Sequence, residues 1–166
     1  PSPEACHFGL DVTLSDKVEF SADEMSCWVN FADGNRRDQT GDLLEIGGID
    51  TSRHRTNPIV LFDHGKQVTL PIALAEDPKT KQYTVVLDPI TKVGRCKAYF
   101  YRGTGIKGVG KSQEYDHALL CEQLFDLICN KFVRAGSIGY IVKSADHFSP
   151  FERDKEGNPV GLHLLS

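Results

Sequence analysis

Along most of this chain apolar and polar residues alternate with a period of two, and one long segment breaks that rhythm. Short alternations run through Leu10 to Leu14, Lys17 to Ala22 and Met25 to Phe31, then through Leu70 to Ala75, Tyr83 to Leu87 and Gly94 to Tyr101. Each has the length of a strand and is too short for a helix. Trp28 falls inside one of them and is expected in the core. Pro58-Ile59-Val60-Leu61-Phe62 is a compact apolar run rich in strand formers. Gly41 to Gly48 predicts a short strand ending in a glycine bend, and Thr51 to Asn57 a polar loop. Glu76 to Lys81 and Asp88-Pro89 predict turns, and Ala32 to Thr40 predicts a charged, exposed and mobile one. Tyr115 to Val133 carries the period of a helix, with Leu119, Leu120, Gln123, Leu124, Leu127 and Ile128 as its core stripe and Cys121 and Cys129 packed beside it. Alternation returns at Ile138, Tyr140 and Val142, a buried strand. A polar loop over 143–159 then leads to a return strand, Val160 to Leu165.

These elements make a mainly β chain with helices, of the α+β kind, in a single domain of 166 residues. Residues 1–9 read as a loose N-terminal end and 103–112 as a glycine-rich loop. A net charge of −4 gives no electrostatic reason to expect nucleic acid or an anionic membrane as a partner. No apolar run reaches transmembrane length, and no basic-then-apolar signal pattern opens the chain. The five cysteines, Cys6, Cys27, Cys96, Cys121 and Cys129, are scattered without a CxxC pair. That predicts reduced, mostly buried thiols in a reducing cytosol, with neither a disulfide frame nor a zinc site.

Two residues draw attention as chemistry. Ser137 stands between Gly136 and Gly139 in Arg134-Ala135-Gly136-Ser137-Ile138-Gly139-Tyr140, where the helix passes into a strand. Flanking glycines let another backbone approach closely, which suits a nucleophile and equally suits a small-residue turn. Serine needs a base to take its proton, and His64 ends the strand run in Asp63-His64-Gly65. The alternative for His64 is a structural histidine bonded to a carbonyl. His54, with Asp63 and His64, could be drawn around a metal, but Arg53-His54-Arg55 is expected to be a solvated basic face.

A competing pattern is Gly105-Ile106-Lys107-Gly108-Val109-Gly110-Lys111-Ser112, a literal GxxxxGKS that follows a strand and precedes a helix. A phosphate-binding loop also needs a later apolar strand ending in an acid. The best such strand, Thr84-Val85-Val86-Leu87-Asp88, comes before the loop. A flexible glycine-lysine connection is the plainer reading.

Asn57-Pro58-Ile59-Val60-Leu61-Phe62-Asp63-His64, then Leu70-Pro71-Ile72-Ala73, then a helix leading into Gly136-Ser137-Ile138-Gly139-Tyr140, resembles the tailed-phage prohead proteases. These are capsid-maturation serine proteases distantly related to herpesvirus assemblins, and the resemblance runs in order over residues 10–166. It implies an antiparallel β-barrel with one long helix packed against it, His64 as base and Ser137 as nucleophile. It implies scaffold and major capsid precursor segments as substrates, action inside the procapsid in the host bacterial cytoplasm, and self-association as a homo-oligomer. No cofactor or metal is expected, nor nucleic acid or membrane as partner. For the third member, assemblins use a histidine on the strand after the nucleophile. The resemblance places His163 there, on a return strand expected to run antiparallel to the Ser137 strand. The alternatives are a residue beyond Ser166 or, less well placed, His147 and Glu152.

Overall fold

A computed structural model describes residues 19–37, 42–61, 71–103, 116–133, 145–147 and 162–164. Strands β1 (Phe20–Ser21), β2 (Ser26–Asp33), β4 (Ile59–Leu61), β5 (Pro71–Leu74), β6 (Val85–Asp88) and β7 (Val93–Phe100) form one antiparallel sheet in the order β1-β2-β7-β5-β4. β6 lies against β7 as well, pairing Val85 with Cys96 and Asp88 with Val93, so β5 and β6 divide the length of β7 between them. β3 (Leu43–Leu44) belongs to a second sheet, β3-β9-β8, with β8 at Ala145–His147 and β9 at Leu162–Leu164. There β9 runs parallel to β3 and antiparallel to β8. The fold is therefore mixed α and β, mostly antiparallel, with one main helix. β1 and β4 end the larger sheet without pairing to each other among the described residues, so that sheet is open where a closed barrel was expected.

Period-two geometry decides which side chains enter the core. Cys27 and Phe31 of β2 and Cys96, Ala98 and Phe100 of β7 are buried. Trp28, expected in the core, falls on the opposite face: it is half-buried, pairs in register with Lys97, and has the Arg95 guanidinium 4.8 Å above its ring. One end of the sheet packs on helix α2 (His117–Cys129) through Cys27, Ile72, Ala73, Phe100, Cys121, Leu124 and Ile128. The other packs Phe31, Ala32 and Cys96 against Leu44 and Ile46, the latter opening a 3-10 helix (Ile46–Gly48) where only a glycine bend was expected.

Helix α2 is shorter than its predicted span, and its ends explain why. Asp116 caps it, its carboxylate accepting from the Leu119 amide at 3.2 Å. After Cys129 the chain turns out through Lys131, whose φ of 61° is left-handed, while the Phe132 amide bonds back to the Leu127 carbonyl at 2.8 Å. The buried stripe is also displaced from the expected one. His117, Cys121, Leu124 and Ile128 face inward, whereas Leu119 and Leu127 are exposed.

Two further expectations are corrected. The supposed mobile turn at Ala32 begins as strand, with Ala32 fully buried. Gly34 and Asn35 then bond to the Lys92 and Thr91 carbonyls of the β6–β7 hairpin at 2.7 and 2.9 Å. Part of the polar stretch over 143–159 is strand β8.

Gly94 shows how closely this sheet is packed. A Cβ built there would lie 2.7 Å from Phe31 Cε2 and 3.3 Å from Ala32 Cβ. The Phe31 ring is itself buried in the core, so it has little room to give. Gly94→Ala should destabilise the fold by about 1–3 kcal/mol, the usual cost of overpacking. Urea unfolding monitored by far-UV circular dichroism measures it, and an unchanged midpoint would show that the ring moves freely.

Candidate active site

Two of the three residues expected to do chemistry, His64 and Ser137, flank described elements. His64 falls between β4, which ends at Leu61, and β5, which begins at Pro71. Ser137 follows the segment that leaves α2 and ends at Val133. Both His64 and Ser137 lie outside the described residues, as do Asp63, Glu152 and the strand predicted over 138–142. His163 is in β9 and His147 in β8.

β4 is held in place by a histidine that the sequence pattern misplaces. Thr51 to Asn57, expected as a polar loop, contains the short helix α1 (Ser52–Thr56), and His54 is half-buried under it instead of solvated. His54 Nε2 lies 3.1 Å from the Ile59 carbonyl and Nδ1 lies 2.8 Å from the Tyr83 hydroxyl. A carbonyl can only accept, so Nε2 carries the proton and Nδ1 accepts from the tyrosine. The Arg55 guanidinium sits 4.7 Å over the Tyr83 ring, and burial raises the Tyr83 pKa. With both ring nitrogens occupied, His54 is a strut between α1, β4 and Tyr83 and has no lone pair to give a metal. The signal that could have found it is the apolar run starting at Pro58, which needs its flank covered.

A second histidine joins helix and sheet. His117 is buried at the start of α2, and its Nε2 donates to the Pro71 carbonyl at 2.7 Å. Cys121 Sγ is 3.8 Å from the same nitrogen, and the Tyr101 ring packs at 5.3 Å between centroids. This contact fixes the N-terminal end of α2 against the first residue of β5. The helix that precedes Ser137 is thereby anchored to the strand that follows His64.

In the smaller sheet β9 is the middle strand. His163 has Leu43 of β3 as its partner on one side and Asp146 of β8 on the other. The return strand was expected to run antiparallel to residues 138–142. Its described antiparallel partner is Ala145–His147, further along the same stretch. Nothing in the sequence pattern singles out Asp146, because cross-strand register is not written in either strand alone.

Elsewhere several of the described ionisable groups have structural partners. On the outer face Lys97 donates to Glu24 at 2.8 Å, which holds the lysine pKa up and the glutamate pKa down. Tyr99 donates to Asp77 at 3.1 Å, and the Asp77 carboxylate also accepts from the Thr80 and Lys79 amides, which keep its pKa low. Burial pushes the Cys27 and Cys96 thiols up to about 12, leaving no thiolate to react at neutral pH. Cys27, Cys96, Cys121 and Cys129 are all unbridged, and Cys6 lies outside the described residues. Among the described residues no cluster of histidine, cysteine and carboxylate groups could hold a metal ion. None of their helices is long and apolar enough to cross a membrane. An open cleft of about 390 Å³, lined by Ala22, Met25, Arg102, Glu122 and Phe125, lies by the β1–β2 turn. That is the opposite edge of the sheet from β4.

The GxxxxGKS stretch is also outside the described residues, but the strand before it is not. β7 is antiparallel to β2, β5 and β6, whereas a phosphate-binding loop springs from a strand of a parallel sheet. No protein-family model, no curated protein and no solved structure matches this chain.

Proposed function

We propose that this protein is a serine endopeptidase of the prohead-protease type, acting on scaffold and major capsid precursor segments inside a procapsid in the host bacterial cytoplasm. Ser137 is the nucleophile, His64 its base and His163 the residue that orients His64. In this reading the two sheets belong to one mostly antiparallel barrel, the chain works as a homo-oligomer, and neither metal nor cofactor takes part. The observation that carries it is the ordered occurrence of Asn57 to His64, Leu70 to Ala73, a helix, and Gly136 to Tyr140. Support comes from the elements at those places: β4 runs up to the His64 segment, β5 leaves it, and α2 precedes the Ser137 segment.

The chemistry asked of these residues is acyl transfer. His64 takes the Ser137 proton as the hydroxyl attacks a peptide carbonyl, then returns it to the leaving amine; water repeats the cycle on the acyl-enzyme. Incubating the protein with capsid precursor and with scaffold protein, followed by mass spectrometry, tests this. Discrete new termini that appear with time are expected. Precursors that stay intact while binding the protein would instead identify a non-catalytic assembly module of the same fold.

A further inference from the structure

The outer face of the larger sheet divides into two parts. Around Lys97 the polar groups are joined: Lys97 to Glu24, Tyr99 to Asp77, and the Thr84 hydroxyl to the Lys97 carbonyl at 2.6 Å. Towards the β6–β7 hairpin they are not. Register sets Arg95 between Asn30 of β2 and Val86 of β6, with Trp28 diagonally across on the same face. Arg95 and Val86 are exposed, Trp28 and Asn30 half-buried. Among the described residues the side chains of Trp28, Asn30 and Arg95 make no hydrogen bond or ion pair. The Asp88 pKa is held down by the Thr91 hydroxyl and by the Ile90 and Thr91 amides, with a smaller contribution from Arg95, so this carboxylate is committed to its own turn. Acidic residues outnumber basic ones 23 to 19 in the chain, yet none is bonded to Arg95 among the described residues, which leaves the complementary carboxylate to a partner.

The Arg95 guanidinium carbon lies 4.8 Å from the centre of the Trp28 ring. Cation–π attraction holds an arginine over an aromatic face while the N–H groups along its edge stay available. Those donors match the two oxygens of a carboxylate, and such charge-assisted pairs are among the stronger hydrogen-bonded contacts. Nucleic acid fits this surface less well. Its binding draws on several cations along a stripe, whereas Lys97 is committed to Glu24, and the guanidinium covers the ring on which a base would stack. We propose that Arg95, Trp28, Asn30 and Val86 form a docking site for an acidic protein segment, with a carboxylate on the Arg95 guanidinium and an adjacent apolar side chain on Val86. Asn30 supplies an amide beside the arginine for the segment's backbone. The assignment is independent of the protease reading.

Trp28 is the only tryptophan of the chain, so its fluorescence reports on this site alone. Titrating the full chain with a short peptide that alternates valine and glutamate, its ends blocked, should change that emission saturably, with a dissociation constant below about 1 mM. The counterpart with glutamine for glutamate should leave it unchanged. Arg95→Gln should weaken binding about ten-fold or more, the worth of a hydrogen bond to a charged group. Calorimetry measures that loss, because the substitution also alters Trp28 emission directly. Arg95→Lys keeps the charge without the fork and should fall between the two. Arg55→Gln removes the other arginine lying over a ring and should bind as wild type does. Far-UV circular dichroism shows which variants are folded, and Arg95→Lys carries the comparison if Arg95→Gln is not. No saturable binding, full affinity in the Arg95 variants, an equal loss in Arg55→Gln, or tighter binding of oligothymidylate than of the peptide would each overturn the proposal. No cleavage is measured, so the result stands apart from the roles of Ser137 and His64.

Discussion

Replacing Ser137 with alanine is expected to abolish cleavage of the capsid precursor while leaving the unfolding free energy measured in urea within about 0.5 kcal/mol of wild type. The substitution removes one oxygen between two glycines and adds no bulk, so it separates chemistry from folding. A hydroxyl nucleophile has no substitute in acyl transfer, and its loss costs about 10⁶-fold in kcat in well-studied serine proteases. The His64→Ala variant should be about as inactive, and the double variant no worse than either single one. A nucleophile and its base act as a unit, so their losses do not add. Fragment yield over hours, read by mass spectrometry, has the range to register this. Proteolysis at near wild-type rate by folded Ser137→Ala would exclude Ser137 as the nucleophile, and a decrease of only a few-fold would point to another residue.

His163→Ala should lower kcat by roughly 10³-fold or more and leave KM nearly unchanged. The third member of such a triad holds the base in the right tautomer and orientation without touching substrate. Its removal therefore acts on the transition state alone. The position of β9 fits a supporting role, because a middle strand is fixed from both sides, here by β3 and β8. Steady-state kinetics on a precursor-derived peptide separates the two constants. An unchanged kcat would transfer the orienting role to another residue, and a raised KM at constant kcat would make His163 part of substrate binding.

Much of the architecture could be read from one-dimensional pattern. Strands β2, β4, β5, β6 and β7 stand where alternation and turn residues place them, because burial on one face imposes a period of two on the sequence itself. The turns at Asp77 and Asp88 were equally legible, since each carboxylate accepts from amides within its own turn. Helix α2 was visible from its period, though its C-terminal end was not. Local spacing continues past Cys129, while the chain turns at a left-handed Lys131 that no pattern marks.

What the tertiary structure alone decided has a common cause, which is that it depends on partners distant in sequence. Trp28 and Val29 are both apolar, so alternation fits either face, and pairing with Lys97 and Cys96 of β7 chose between them. His54 looked solvated among arginines until Ile59 and Tyr83 supplied acceptor and donor for its two nitrogens. Asn35 sits in a run of charge, yet a carbonyl at Thr91 holds it. Ser137 and His64 were singled out by sequence alone, through flanking glycines and the end of an apolar run, which are local properties. The pairing of His163 with Asp146 is a matter of register, and register is set by how two strands meet, which neither strand states by itself.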